Sequence, residues 1–430
     1  MSAPQSPFVG LAAFTPRAAA YFTGRERFAV TLAGAILRSR VTVLYGQSGS
    51  GKSSVLGAAL PQAMRATLRR AAEATQRTPF RLLHFRRWHP GFETRLYRAA
   101  AAKLAASGDS SLATAVRGWG EEQKAPMILV LDQFEEFLLY HPRPTETDFV
   151  QNLATVVADP DIEARVLLSV REDSLASLDA LRAVIPGILS SPVQLRPLDR
   201  TAAEQAIRRP VAKWSEEKFD DSRAVEVEDS LVETLLDQVK QTGSGTLNTG
   251  AMPNPVASFV ELPLLQLALE RIWEEEAKAE HPVLRLRTLD RLDGAAGIAR
   301  QHLDQTLEAL PAEQRALAIR LFPHLVTATG GKHAWRADDL AEEIGADSRA
   351  EQQAADRVAR VAGGMSAGGR SLLGIAEAAG GAEATKAAVR DTLNRLAQGK
   401  ARILCTQPDP RGQEALFELY HDALARPVLS

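Results

Sequence analysis

A glycine-rich loop that ends in lysine and serine is the clearest group of residues whose types and spacing could do chemistry. The loop fits the pattern G-x-x-x-x-G-K-[ST], in which backbone N–H groups and the positive end of the next helix hold phosphate oxygens. The lysine of this pattern reaches the terminal phosphates, and the hydroxyl after it ligates Mg²⁺. A chance glycine-rich turn is the weaker interpretation, because an apolar β-branched run precedes the loop and helical periodicity follows it. The loop, with the serine after it, consists of Gly46, Gln47, Ser48, Gly49, Ser50, Gly51, Lys52, Ser53 and Ser54.

An aspartate follows the most apolar strand candidate, residues 127–131. A buried strand that ends in an acid places a carboxylate at the carboxyl edge of the sheet, where Asp132 would face the metal ion. The alternative is a cap on the helix that follows. Asp132 lies 80 residues after Lys52 (132 − 52), which leaves room for one intervening strand and its helices and favours the metal role.

Three further charged residues are candidates for chemistry at the same edge. Glu135 and Glu136 follow Asp132 closely, and one of them could orient or deprotonate an attacking water; we favour Glu135. The alternative is an ordinary acidic first turn of a helix. Arg171 ends the next strand and could sense a γ-phosphate, although an ion pair with the acids that follow it is nearly as good an interpretation.

The elements that must position these residues alternate between strands and helices in the first half of the chain. Strand candidates cover residues 41–45, 80–85, 127–131, 165–170 and 193–195. This alternation predicts a parallel sheet with helices on both faces. After about residue 197 the pattern is helical, and Pro263 opens a long helix over 264–279. Several helices and a hairpin (402–406 and 415–419) end the chain in the order of a winged helix, with 361–383 as an insertion.

Composition excludes several classes of protein. The 430 residues predict two to four domains. The net charge of −2 gives no overall basic field for nucleic acid or anionic lipid, and a single cysteine, Cys405, excludes an internal disulfide framework. Neither a signal peptide nor a membrane span is expected, so the chain is predicted to be soluble and cytoplasmic.

Several blocks in the right order resemble the STAND class of signal-transduction NTPases, in particular a bacterial branch. The most specific block is Leu131-Asp132-Gln133-Phe134-Glu135-Glu136, which is similar to the "DQFEE" signature of the family. The other blocks are residues 8–14, 22–26, 170–173, 261–266 and 420–424. The departures are Ala12-Ala13 in place of Arg-Pro, and Asp422 in place of the common Glu.

The resemblance implies roles that spacing alone does not give. Gly24 and Arg25 would lie by the adenine, Arg171 would be the sensor arginine, Pro263 would pack by the nucleotide and His421 would touch the diphosphate of bound ADP. It also implies ATP or ADP with Mg²⁺ as ligands, and sensor repeats after the matched region. The implied fold is an α/β P-loop NTPase sheet of the AAA+-like kind, followed by a helical lid and a winged helix.

The hypothesis is therefore a nucleotide-operated switch for signalling or defence. An N-terminal segment (1–19) would pack on the NTPase domain (20–198), followed by the lid (199–290) and the winged helix (291–430). ADP would hold a closed monomer, and ATP, hydrolysed slowly, would permit self-association and action on a protein partner or a C-terminal sensor or effector.

Two alternatives remain open. One is a DNA-handling AAA+ ATPase, which would need a basic recognition helix; the helix at 386–395 is only weakly basic, so nucleic acid is the less favoured partner. The other is a nucleotide-binding scaffold without turnover, in which Glu135 has a structural role.

Overall fold

The computed structural model divides into two compact units, a first unit of residues Met1–Ala295 and a second unit of residues Ala296–Ser430. No helix of the described residues is long and apolar enough to cross a membrane. The described residues are 6–75, 80–88, 91–101, 111–123, 125–141, 143–218, 224–240, 259–279, 281–326, 333–345, 372–397, 403–407 and 416–419.

A five-stranded parallel sheet forms the centre of the first unit, with the strand order β2-β3-β4-β1-β5. The predicted α/β class and all five predicted strands are confirmed. The strands read as nearly continuous apolar runs because helices cover both faces of the sheet. Their bounds are β1 Val41–Gly46, β2 Arg81–Phe85, β3 Met127–Leu131, β4 Ala164–Arg171 and β5 Pro192–Gln194.

Two apolar cores lie on the two faces of this sheet. Helices Glu26–Arg38 and Leu60–Thr75 supply one core, which includes Leu32, Leu56 and Leu60. An aromatic cluster around Trp88 fills part of the other core, where helices Phe92–Ala100, Leu112–Gln123, Phe134–Tyr140 and Asp148–Ala158 pack. The β3 strand contributes residues to both cores, so its carboxyl end is held firmly.

Helices follow the sheet within the first unit, as the sequence predicts. Their bounds are Arg200–Lys218, Asp229–Gln238, Leu262–Glu276 and Leu286–Arg291. Pro263 lies in the first turn of Leu262–Glu276, where its missing N–H leaves no bond unmade. A pair of two-residue strands, β6 Glu226–Val227 and β7 Val283–Leu284, was not predicted.

The first unit also contains π-helical and 3₁₀ segments. The helix after the phosphate loop begins as Lys52–Ser54, continues through a π-helical segment, Val55–Ala59, and becomes regular at Leu60. The 3₁₀ segments are Ala19–Tyr21, Pro144–Glu146 and Glu172–Ala183.

The second unit contains helices and a three-stranded antiparallel sheet of order β8-β10-β9. The hairpin pairing predicted from the sequence is confirmed, with Leu416 opposite Gln407. Its third strand occupies residues that the sequence assigned to a loop. The strands are β8 Trp335–Arg336, β9 Leu404–Gln407 and β10 Leu416–Leu419. The helices are Gly294–Glu308, Ala312–Leu321, residues 337–345 and Leu372–Ala397, and the first of them begins at the boundary with the first unit. A 3₁₀ turn, Phe322–Leu325, follows Ala312–Leu321.

The structure describes the second half of the predicted insertion at 361–383, and that half is helical. Residues 361–371 lie outside the described residues, but from Leu372 the chain is one helix to Ala397. The many alanines of this stretch have the highest helix propensity of any residue, and they outweigh the cost of its paired glycines.

Candidate functional site

The phosphate loop lies between β1 and the helix that begins at Lys52. A side chain at Gly46 would come within 2.5 Å of the Leu195 carbonyl oxygen, so the close approach of β5 requires glycine there. Gly51 has a φ of 92°, which also suits glycine. Lys52 Nζ donates to the carbonyl oxygens of Gly46 and Gln47 at 2.7 and 3.0 Å, so its ammonium lies over the loop.

Asp132 lies directly after β3, with 1% of its surface exposed. The Gln133 N–H donates to Asp132 Oδ1 at 3.0 Å, and His84 Nε2 lies 3.2 Å from Oδ2. Burial by itself would raise the pKa of Asp132, but hydrogen bonds from His84 and the Ser53 hydroxyl hold that pKa below its ordinary value. This carboxylate is therefore kept ionised beside the serine of the loop.

Glu135 lies in the first turn of helix Phe134–Tyr140, with 5% of its surface exposed. Its Oε2 atom is buried and has no hydrogen-bond partner among the described residues. Burial raises the pKa of Glu135 to about 7, although the nearby Lys52 ammonium draws it down. Glu136 is half-buried, so of the two candidates only Glu135 is desolvated in this way.

Arg171 ends β4 and is paired in register with Gly46 of the loop. Its Nη2 donates to Asp173 Oδ2 at 2.7 Å, which is the ion pair that the sequence left open as the alternative. The guanidinium is 9% exposed and close enough to affect the pKa values of Lys52 and Glu135. Arg171 therefore forms the ion pair with Asp173 and also lies beside the loop.

Gly24 and Arg25 connect the loop with the helices after the sheet. Arg25 Nη2 donates to the Ser50 carbonyl oxygen at 3.1 Å, and burial lowers the pKa of Arg25 to about 10. Gly24 has a φ of 85°, and a side chain there would come within 3.0 Å of the Ala202 carbonyl oxygen. This segment is thus held between the phosphate loop and helix Arg200–Lys218.

The start of helix Leu262–Glu276 also lies at the loop. A side chain on Gly51 would be 3.7 Å from Leu262 Cδ1, and Pro263 is buried in the same turn. The N-terminal segment reaches both elements: the Phe14 N–H donates to Ser54 Oγ at 3.2 Å, and the Phe8 ring packs on Trp273. Ser54 therefore contacts the N-terminal segment.

The remaining residues to place are His421, which the sequence predicted, and His84 and Trp88, which it did not. His421 lies outside the described residues. His84 and Trp88 contact Asp132, the first at its carboxylate and the second through a 2.8 Å hydrogen bond from Nε1 to the backbone oxygen. His84 could have been found from the sequence only through its position on β2, because it pairs with Val130, two residues before Asp132.

A family model decides what kind of protein this geometry belongs to. The model described as novel STAND NTPase 1 matches residues 7–427. The chain belongs to the novel STAND NTPase 1 family. It is therefore a P-loop NTPase of the STAND class, and the resemblance inferred from the sequence blocks is confirmed. No curated protein matches this STAND NTPase in sequence.

Solved structures resemble this STAND NTPase at low sequence identity. The Orc1 protein of Aeropyrum pernix, in complex with DNA, is 14% identical, with 99% of this chain and 96% of that chain covered and a TM-score of 0.50. The Orc2 protein of the same organism, with ADPNP and ADP, is 14% identical over 94% and 92%, with a TM-score of 0.47. A Walker-type ATPase of Pyrococcus abyssi is 13% identical over 98% and 99%, with a TM-score of 0.43. The likeness to Orc1 is one of fold.

Proposed function

We propose that the chain is an ATP/ADP-operated switch that binds Mg²⁺·ATP and hydrolyses it slowly to control its own opening and assembly. The observation that carries the proposal is the meeting of three groups at one edge of the sheet. Lys52 lies over the loop, Asp132 and Glu135 follow β3, and the turn that contains Pro263 abuts Gly51. A nucleotide phosphate at this edge would touch catalytic groups and the helices after the sheet at once.

Mg²⁺ fits the residues that are present. Among the described residues, no group of three or more His, Cys, Asp or Glu side chains could hold a metal ion. Mg²⁺ bound with a nucleotide does not need such a group, because it keeps several waters and takes its other oxygens from phosphates and one or two side chains. The Ser53 hydroxyl and the ionised Asp132 carboxylate would hold the ion, which would neutralise charge on the β- and γ-phosphates.

In the proposed hydrolysis, each charged side chain would have a distinct role. Lys52 would bind the terminal phosphates, and Arg171 would stabilise the charge that develops on the γ-phosphate. Glu135, whose buried Oε2 has no hydrogen-bond partner in the part of the chain that the structure describes, would accept a proton from the water that attacks the γ-phosphorus. The products are ADP and phosphate. Phosphoryl transfer depends mainly on such positioning and electrostatic stabilisation.

The switch would use residues 199–290 as a lid and 291–430 as a winged helix, with residues 1–19 packed against the NTPase domain (20–198). Gly24 and Arg25 would lie by the adenine and Pro263 by the nucleotide, and His421 would contact the diphosphate of ADP. Closed and open forms exchange populations only if a nucleotide binds them with different affinity. ADP would favour the closed monomer, and ATP the form that associates with itself or with a protein partner or effector.

DNA handling is the second candidate, and the fold of the Orc1 protein is what favours it. The charges of the C-terminal helix count against it. Lys386 pairs with Glu342 at 2.9 Å, Arg390 with Asp338 at 2.9 Å, and Arg395 lies 3.8 Å from Asp391. Cations that already have acidic partners offer little to a phosphate backbone.

The test compares particle size in solution with Mg²⁺·ADP and with a slowly hydrolysed Mg²⁺·ATP analogue, for the wild-type protein and Lys52→Ala. We expect a monomer in ADP and larger assemblies with the analogue, and no response in Lys52→Ala, which has lost the ammonium that neutralises the phosphates. An unchanged analogue affinity in Lys52→Ala would contradict the nucleotide site. The same size in both nucleotides would contradict the switch, and DNA binding that weakens steeply with salt would favour the second candidate.

A further inference from the structure

His84 contacts the Asp132 carboxylate, which is part of the proposed Mg²⁺ site, but the proposed function does not include His84. Its Nε2 atom lies 3.2 Å from Asp132 Oδ2, and 23% of its side chain is exposed. A carboxylate can only accept, so Nε2–H is the donor in this pair. The other oxygen, Oδ1, already accepts from the Gln133 N–H.

Strand geometry explains why His84 reaches Asp132. In the parallel pair β2–β3, His84 is in register with Val130, and Asp132 lies two residues further along β3. Side chains two residues apart point to the same face of a sheet. Val130 and Leu82 belong to the apolar core on the side of the phosphate-loop helix, so the His84 imidazole and the Asp132 carboxylate face that side too.

The backbone of Asp132 is held as firmly as its side chain. Its N–H donates to the Phe85 carbonyl oxygen at 2.8 Å, and its own carbonyl oxygen accepts from Trp88 Nε1 at 2.8 Å. With the backbone fixed, rotation of the carboxylate is the remaining freedom that could move a ligand oxygen. Hydrogen bonds from His84 Nε2, the Gln133 N–H, and the Ser53 and Ser169 hydroxyls limit that rotation, and among these His84 is the partner at Oδ2 for which a distance of 3.2 Å is observed.

We propose that His84 is a positioning residue for Asp132, which fixes the carboxylate so that its remaining lone pairs face Ser53 and the Mg²⁺ that accompanies the nucleotide. The inference rests on the proposed function, because it needs that metal site. Partners of ligating carboxylates typically contribute 10–100-fold to metal affinity. His84 itself touches neither the nucleotide nor the ion.

The test measures affinity for a slowly hydrolysed ATP analogue in Mg²⁺ and in EDTA, so that the ratio of the two dissociation constants reports the contribution of the metal. His84→Gln places an amide N–H near the position of Nε2, whereas His84→Asn is too short to reach Asp132. Leu82→Ala is the matched control, since it shortens a partly buried side chain on the same strand and the same face. Asp132→Asn marks the value of the ratio when the ligand charge is removed.

We expect the ratio to fall by about tenfold or more in His84→Asn and to stay within about threefold of wild type in His84→Gln and Leu82→Ala. Affinity in EDTA should be the same in wild type, in the two His84 variants and in Leu82→Ala. A His84→Asn protein with the wild-type ratio would overturn the inference and leave the proposed function standing. Equal losses in Mg²⁺ and EDTA would reduce His84 to a merely structural role, and a wild-type affinity indifferent to Mg²⁺ would overturn the metal site itself.

Discussion

The end of strand β3 and the helix turn that follows it present two carboxylates three residues apart in opposite environments. Asp132, at the strand end, accepts hydrogen bonds on both oxygens, and the hydrogen bonds from His84 and the Ser53 hydroxyl hold its pKa below the ordinary value despite burial. Glu135, in the turn, has a buried oxygen that no described residue hydrogen-bonds, and burial raises its pKa to about 7. Burial is nearly equal in the two residues, so hydrogen bonds and neighbouring charges account for the difference in the direction of the two pKa shifts.

This difference in pKa fits the different roles that we propose for the two acids. A group that must hold a cation has to stay ionised, and hydrogen bonds to its charged form achieve that. A group that must take up a proton works best with a pKa near the operating pH, and desolvation moves a glutamate in that direction. Structures that tune neighbouring acids apart in this way are typical of catalytic sites.

The largest effect is expected from Glu135→Gln, which keeps the shape of the side chain and removes the base. Phosphate release should fall by about 10²–10⁴-fold while the ATP analogue still binds. Glu136→Gln is the matched control, because it removes a carboxylate from the same turn, and it should retain most of the turnover. If Glu136→Gln alone abolishes turnover, the base has been assigned to the wrong residue; if neither does, the scaffold without turnover is favoured.

A smaller effect concerns stability, and its sign follows from the raised pKa. Between about pH 4.5 and 7 the folded protein binds a proton on Glu135 that the unfolded chain has released, so this group lowers the free energy of unfolding as pH rises. The loss is about 1.4 kcal/mol per pH unit, or about 3 kcal/mol over the window.

Glu135→Gln removes this term, so its melting temperature should exceed that of wild type at pH 8, and the gap should close as pH approaches 4.5. Thermal unfolding across this range measures the gap. A gap that is constant with pH would show that Glu135 is not held in a desolvated site. Glu136→Gln, measured in parallel, controls for the loss of any carboxylate from this turn.

The sequence was sufficient to predict the sheet and to place the candidate residues at its carboxyl edge. A β-branched run before Gly46 and an apolar run before Asp132 are local signals, and both correspond to observed strands. The preference for Glu135 over Glu136 also agrees with their burial, although no periodicity in such a short turn separates two adjacent acids.

Other features depended on tertiary contacts that no local pattern carries. The contact of His84 with Asp132 joins residues 48 positions apart and requires the register of two strands. Strand Trp335–Arg336 has only two residues and exists because β10 pairs with it. The first half of helix Leu372–Ala397 was not predicted as helical, although its alanines have a high helix propensity.

The measurement that tests the central claim most directly is the pH dependence of kcat/KM for phosphate release, because this ratio reports groups in the free enzyme. In wild type and Glu136→Gln, kcat/KM should rise with pH through about 7 and then level off, as Glu135 loses its proton. The residual turnover of Glu135→Gln should lack that rise, which separates the enzyme group from ionisation of the substrate. A flat wild-type profile, or the same rise in Glu135→Gln, would contradict the assignment of Glu135 as the base.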